Sequence, residues 1–183
     1  MTKDIYNRSI ETCEVQLEGF WAKSAHFGIV GYLIFMPSMM LFLHLIYFFQ
    51  NKPDSFRDGE TWIIVIPLFL SVIAYWIQKR RLKFRVIKTK FNHSQLKALL
   101  IEVAKKLKWD PVSTTKDIYT AKTNPGFFSG SWGEQITVLF YQDSVFVNSI
   151  CDPDKRSSVV SWGRNRENEN TLIDKINEVE SNL

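Results

Sequence analysis

The chain has 183 residues, a formal net charge of +4 and an aromatic content of 14%. A charge this modest, with the aromatic residues mainly outside the basic stretches, argues against a nucleic-acid-binding protein. The two cysteines, Cys13 and Cys151, lack the paired spacing of a zinc site or a disulfide framework, so a reducing cytoplasmic setting fits both.

The N-terminal segment, residues 1–24, is polar but patterned. Ile10, Leu17 and Trp21 recur with a helical period, and acidic residues such as Glu14 lie between them. This pattern predicts an amphipathic juxtamembrane helix that lies on the membrane surface. The alternative is a partly disordered tail. The acidic residues before the apolar run, and the lack of a small-residue cleavage pattern after it, argue against a secretory signal peptide.

Two apolar runs without a charged residue follow, at 25–49 and 61–78. As helices they would be roughly 37 Å and 27 Å long, against a hydrocarbon core of about 30 Å. Residues 50–60 form a short polar loop between them. Pro37 predicts a kink near the middle of the first run. The sequence therefore predicts a hairpin of two transmembrane helices.

His26 and His44 lie eighteen residues apart in the first run, which places them on the same helix face. Each is close to an end of the run, where an imidazole can reach the membrane interface. A separation of about 27 Å along the axis excludes one shared metal ion. We interpret both as interfacial residues.

The lysine and arginine distribution predicts that both termini are cytoplasmic and that residues 50–60 are external. Seven of the twelve residues from 79 to 90 are basic, against Lys52 and Arg57 in the loop. A basic cluster beside a span can also contact anionic lipid headgroups. The expected headgroup contacts are Lys79, Arg80, Arg81, Lys83 and Arg85. We expect an integral protein of a bacterial inner membrane.

Residues 79–183 are predicted to form a cytoplasmic α+β domain with a basic juxtamembrane start. Residues 82–88 alternate as in a strand. Asn92 and Gln95 form a capping-box pattern ahead of a helix with a leucine-rich stripe. Two short strands are predicted next, at 109–113 and 118–122.

The clearest strand prediction is a hairpin over residues 134–151 with a two-residue turn. If Tyr141 pairs with Ser144, then Val138 faces Val147 on the core side. A further strand at 157–162 and a last helix complete the domain. The predicted fold is a membrane α-helical hairpin followed by a small α+β domain, mainly antiparallel sheet with two helices on one face.

A glycine- and serine-rich loop at 124–133 carries three large aromatic residues. It lacks the lysine of a phosphate loop and the glycine order of a dinucleotide site. Its Ser-Trp-Gly tripeptide recurs at 161–163, so the two tryptophans could form one aromatic patch. Core capping, insertion into the bilayer and chance repetition are the alternatives. The candidate binding surface comprises Phe127, Phe128, Trp132, Glu134, Trp162, Arg164 and Asn165.

Two other groups have the residue types of a site. Residues 151–156 carry two acids around a proline, fewer ligands than a calcium loop, and we interpret them as a charged turn. Ser149, Asp152 and His93 have the residue types of a hydrolase triad, but no Gly-x-Ser-x-Gly motif is present. We assign no catalytic, metal-binding or cofactor-binding residue.

The predicted function is a small two-pass membrane protein whose cytoplasmic domain is a non-enzymatic binding or regulatory module. The expected partners are the lipid bilayer with its anionic lipids and either a protein or a small cytoplasmic ligand; homo-oligomerisation is left open. The alternative is a ligand-sensing effector whose hairpin oligomerises or perturbs the bilayer. A membrane-tethered hydrolase is disfavoured, because the sequence shows no acid–base constellation.

Overall fold

The computed structural model describes residues 1–52, 59–125, 132–155 and 163–182. These residues form five helices and a five-stranded antiparallel sheet, which confirms the α+β prediction. In chain order the elements are α1 (Lys3–Thr12), α2 (Gly19–Phe49), α3 (Glu60–Arg81), β1 (Arg85–Lys88), α4 (His93–Lys106), β2 (Asp110–Thr114), β3 (Ile118–Lys122), β4 (Glu134–Tyr141), β5 (Ser144–Cys151) and α5 (Arg164–Ser181).

The two apolar runs form α2 and α3, and both helices are long and apolar enough to cross a membrane. Each extends beyond its predicted run, and α3 continues through the basic residues to Arg81. Both contain a proline without interruption of the helix. The Ser38 hydroxyl donates a hydrogen bond to the Ile34 carbonyl, 2.8 Å away, in the turn that precedes Pro37.

The sheet has the strand order β1-β5-β4-β3-β2. The β4–β5 register is the predicted one, with Tyr141 opposite Ser144 and Val138 opposite Val147. Because alternate residues of a strand point to opposite faces, this register aligns the apolar side chains of both strands on one face. The strand predicted at 157–162 lies outside the described residues.

The first face of the sheet is covered by α4 and α5. Its buried side chains include Ile136, Val138 and Val147 from the sheet, Leu100 from α4 and Leu172 from α5. The predicted capping box of α4 is present, since the Asn92 side chain and the Gln95 side chain each accept the other residue's backbone N–H. Two orphan amides at the helix start are thereby satisfied.

The second face of the sheet is covered by the N-terminal segment, whereas the two helices of residues 79–183, α4 and α5, share the first face as predicted. The Tyr6 hydroxyl donates to the Phe140 carbonyl at 2.6 Å. Val15 is buried against Phe146, and Ile10 packs on the same cluster. The sequence pattern alone could not show this contact, because one helix face pairs equally well with a membrane surface or with a sheet.

The N-terminal segment is also not one continuous helix. The chain leaves α1 at Cys13, which adopts a left-handed conformation with φ 52°. Residues 13–15 then run beside 82–84: the Val15 N–H donates to the Leu82 carbonyl at 2.7 Å, and the Phe84 N–H donates to the Cys13 carbonyl at 2.8 Å. The segment before α2 is therefore bonded to the segment after α3.

Candidate functional site

Glu134, a member of the predicted binding surface, is the first residue of β4 and is fully buried. Its carboxylate accepts a hydrogen bond from the Thr123 hydroxyl and lies 3.5 Å from Nε of Arg164. Arg164 is the first residue of α5, so this ion pair attaches the helix to the sheet. Removal of one partner of a buried ion pair strongly destabilises the folded state, because it leaves a buried charge without compensation. Glu134 therefore has a structural role.

Asn165 belongs to a buried row of polar side chains beneath α5. The Ser149 hydroxyl donates to Oδ1 of Asn165 at 3.2 Å, and Nδ2 of Asn168 donates to Ser149 Oγ at 3.1 Å. The indole N–H of Trp109 completes the row by donating to Oδ1 of Asn168 at 3.1 Å. Buried polar groups that are bonded to one another in this way stabilise one arrangement of helix and sheet.

Sequence reasoning missed Asn168 and Trp109 in this row. The available signal was the spacing of Asn165 and Asn168, which are three residues apart and share a helix face with Leu172. Ser149 likewise follows Val145 and Val147 at inward positions of β5. Polar residues at core positions of two neighbouring elements indicate a buried hydrogen-bond network.

Trp132, two residues before the central strand β4, is 48% exposed. Gly133 next to it has φ +129°, and a Cβ there would lie 2.7 Å from the Thr123 carbonyl oxygen and from Nζ of Lys155. The backbone geometry at this position therefore requires glycine. Phe127, Phe128 and Trp162 lie outside the described residues, so the aromatic patch stays a prediction.

The described part of the charged turn, residues 151–155, is organised around Lys122. Its Nζ lies 3.0 Å from Oδ1 of Asp152 and 2.5 Å from Oδ2 of Asp154. Burial acts to lower the pKa of Lys122, but the hydrogen bonds to Asp154 and Asp152 outweigh it and raise that pKa above its usual value. A lysine between two carboxylates fits the interpretation as a charged turn.

The structure does not bring the residues of a hydrolase triad together. The partners of the buried Ser149 hydroxyl are Asn165 and Asn168. The His93 ring instead packs edge-on against Phe140, with 4.7 Å between ring centroids. Phe140 lies four residues along β4 from Ile136, the pairing partner of Ser149. Within residues 1–52, 59–125, 132–155 and 163–182, no cluster of three His, Cys, Asp or Glu residues could hold a metal ion.

The two histidines of α2 share one face, as predicted, and that face contacts α3. His26 is buried, its Nε2 lies 3.0 Å from the Gln78 carbonyl oxygen, and the Gln78 amide donates to the His26 carbonyl at 2.7 Å. At the other end of the hairpin, Nε2 of His44 lies 3.4 Å from Oε1 of Glu60. The two helices are thus joined near both ends.

A basic groove of about 760 Å³ lies between the end of α3 and the start of α5. Among the predicted headgroup residues, Arg80, Arg81, Lys83 and Arg85 line this groove, and Lys79 is not among its lining residues. Arg166, from the first turn of α5, adds a cation that sequence reasoning missed. Arg166 is far from α3 in the sequence, so no local pattern indicates that it lies near the basic end of that helix.

No protein-family model, no curated protein and no solved structure matches this chain in the comparisons.

Proposed function

We propose that this chain is a two-pass integral membrane protein whose α+β domain is a non-enzymatic binding or regulatory module held at the cytoplasmic surface of a bacterial inner membrane. The observation that carries the proposal is the exposure of the two apolar helices. In their most apolar windows only 11% of the residues of α2 and 17% of those of α3 are buried. A core helix of a soluble protein is buried on most sides, whereas these side chains match a lipid environment.

The contacts of α2 argue against a cleaved signal sequence. Phe27, in the early turns of α2, packs against the cluster that contains Val15, Leu82 and Phe146. A signal peptide that is removed would not form part of the core of the mature domain. Phe27 also lies 5.6 Å, between ring centroids, from Tyr75 of α3.

The module would lie directly on the membrane, without a linker. The apolar side chains on the second face of the sheet form a second cluster, which comprises Val15, Leu82, Phe84, Leu139, Phe146 and Ile150. Leu17 packs against this cluster two residues before α2 begins at Gly19, and the buried Leu82 follows the last residue of α3. The basic end of α3 favours the cytoplasmic side for this junction. Trp76, in the last turns of α3, is 61% exposed, as an interfacial aromatic residue would be.

Two observations support the proposal that the domain is a binding module. The first is that its polar candidate residues are hydrogen-bonded or ion-paired to other residues of the domain. Glu134 is paired with Arg164, Ser149 with two asparagines, and Asp152 with Lys122. The second is that Trp132 remains exposed at the predicted binding surface, where a protein or a small cytoplasmic ligand would bind. Aromatic side chains of this kind are frequent anchors in interfaces.

The test is the membrane topology of the full chain in bacterial cells. The protein is expected to stay in the membrane fraction after carbonate washing. In spheroplasts an impermeant maleimide should label Lys52→Cys in a Cys13→Ser, Cys151→Ser background. In a second protein that keeps Cys13 and carries only Cys151→Ser, Cys13, which is exposed, should react only after lysis. Release by carbonate, or labelling of Cys13 in intact spheroplasts, would reject the proposal.

A ligand-sensing effector is the second candidate, and the junction between hairpin and domain favours it. Since α2 and α3 both adjoin residues of the second cluster, a rearrangement of the domain would be transmitted to the hairpin. Such a protein should release dye from lipid vesicles when it is triggered, and Pro37→Ala should alter that release. Retention of the dye in the vesicles with every ligand tested would exclude this candidate.

A further inference from the structure

The basic groove between α3 and α5 combines residues from distant parts of the chain. Arg80 and Arg81 come from the last turn of α3, and Lys83 and Arg85 from the segment that enters β1. Leu82 and Phe84, which alternate with these residues, are buried in the second cluster, so the backbone here is fixed by the core. The opposite wall is the first turns of α5.

The charge of the groove is strongly unbalanced. Among the residues that the structure describes, five cationic side chains line it, Arg166 included, against one carboxylate, that of Glu169. Burial raises the pKa of Glu169, although its hydrogen bond from the Ser149 N–H and the nearby Arg85 and Arg166 act in the opposite direction. The groove therefore favours an anion.

Two of the arginines are held in place before any ligand arrives. The Arg85 guanidinium donates a hydrogen bond to Oδ1 of Asn170 on α5. The Arg80 guanidinium stacks over Trp76, 5.4 Å from the ring centroid. Planar guanidinium groups that are already oriented suit the oxygen atoms of a phosphate group.

The position of the groove indicates the source of that phosphate. Trp76 and Ile77 of α3 line its wall, where the apolar surface of the helix gives way to its basic end. We propose that the groove binds the phosphate headgroup of one anionic phospholipid, whose acyl chains lie along α3. The proposal rests on the membrane location proposed above.

Arg166 makes it possible to distinguish lipid binding in the groove from the effect of basic residues on membrane topology. Lysine and arginine residues orient a span when they lie within about 20 residues of it, and Arg166 is far beyond that range in the sequence. Its place in the groove comes only from the packing of α5 on the sheet. A variant at Arg166 consequently reports on the groove and leaves the orientation signal of 79–90 intact.

The experiment uses the purified full-length protein in a zwitterionic detergent, titrated with phosphatidylglycerol, phosphatidylcholine or inorganic phosphate while its thermal midpoint is followed. Phosphatidylglycerol should raise the midpoint, whereas phosphatidylcholine should not. Arg166→Gln should weaken phosphatidylglycerol binding about fivefold, the equivalent of about 1 kcal/mol for one basic contact. Glu169→Gln keeps an acceptor for the Ser149 N–H and should strengthen binding. Lys88→Gln, an exposed change in the same basic stretch outside the groove, should have no effect.

Titration curves of Arg166→Gln and Glu169→Gln that both match the wild-type curve would overturn the proposal. Saturation by inorganic phosphate at the same concentration as the lipid would overturn it too. Arg85→Gln is the second variant if Arg166→Gln does not fold, and it should weaken binding in the same direction. Carbonate washing of the wild type and of every variant keeps the two proposals apart. Wild-type protein that stays in the membrane but binds no phosphatidylglycerol rejects the headgroup site alone, whereas release of the wild type from the membrane rejects the proposed function.

Discussion

At the residue scale, Asn168 occupies the centre of the hydrogen-bonded row beneath α5. Its Oδ1 accepts from the Trp109 indole and its Nδ2 donates to Ser149 Oγ. The three side chains come from the end of the α4 region, from β5 and from α5. One amide therefore connects three parts of the domain through two buried bonds.

We expect Asn168→Ala to lower the free energy of unfolding by about 1–3 kcal/mol, because it leaves the Trp109 N–H and the Ser149 hydroxyl without this partner. The measurement is unfolding of the full-length protein in detergent, followed by tryptophan fluorescence. Asn177→Ala, at an exposed position of the same helix, is the matched control and should change stability by no more than about 0.5 kcal/mol. Equal effects of the two changes would show that the buried row does not stabilise the domain.

At the element scale, α5 is attached to the rest of the domain at both ends. Near its start, Asn165, Asn168 and Glu169 bond to Ser149. Near its end, Oε1 of Glu180 accepts from the Thr89 hydroxyl at 2.6 Å and from the Lys90 N–H at 2.5 Å. The second attachment holds the segment that follows β1.

The Glu180 attachment predicts a pH dependence. Its hydrogen bonds from Thr89 and Lys90 lower the pKa of Glu180 below the reference value of 4.5. The stabilisation is therefore complete above the unfolded pKa and is lost as pH falls through the lower folded pKa. Glu180→Gln should reduce the thermal midpoint at pH 7, and its difference from wild type should shrink as the pH is lowered below 4.5.

The control for this pH series is Asp174→Asn, an exposed change on the same helix, which should follow the wild type throughout. A Glu180→Gln deficit that stays constant from neutral to acidic pH would contradict the assignment.

At the scale of the whole molecule, the domain is assembled from both sides of the hairpin. The second face of the sheet buries Leu139, Phe146 and Ile150, and its cover comes from residues before α2. Burial of one such side chain contributes about 1.5–3 kcal/mol, against a total stability of about 5–15 kcal/mol for a domain. Residues 82–183 without the N-terminal segment would expose this face.

We expect residues 82–183 alone to lack cooperative unfolding and to bind a hydrophobic dye. Residues 1–18 joined by a short glycine–serine linker to 82–183 should fold as a soluble domain, because the backbones of 13–15 and 82–84 are already adjacent. Circular dichroism during heating distinguishes the two chains. In the joined chain Ile10→Asp should again abolish cooperative unfolding, whereas Glu11→Asp, at the exposed neighbouring position, should not. Cooperative folding of 82–183 alone would contradict the two-sided core.

Much of this architecture was predictable from local patterns. The uninterrupted apolar runs identified the two long helices, the alternation of 134–151 identified the register of the β4–β5 hairpin, and Asn92 with Gln95 identified the start of α4. Each of these features depends on residues that are neighbours in sequence, where helical and strand periodicities and cap geometry act directly.

The tertiary structure decided what the distant segments do. The amphipathic pattern of residues 1–24 was compatible with a membrane surface, and only the packing shows α1 on the second face of the sheet. The row around Ser149 and the meeting of Arg166 with Arg80 and Arg85 likewise join segments that are far apart in the chain. Periodicity shows that an apolar face of a helix or strand must be buried, or that a buried polar side chain must form a hydrogen bond. Which segment covers the face or supplies the hydrogen-bond partner depends on how the sheet, the helices and the hairpin pack together in space.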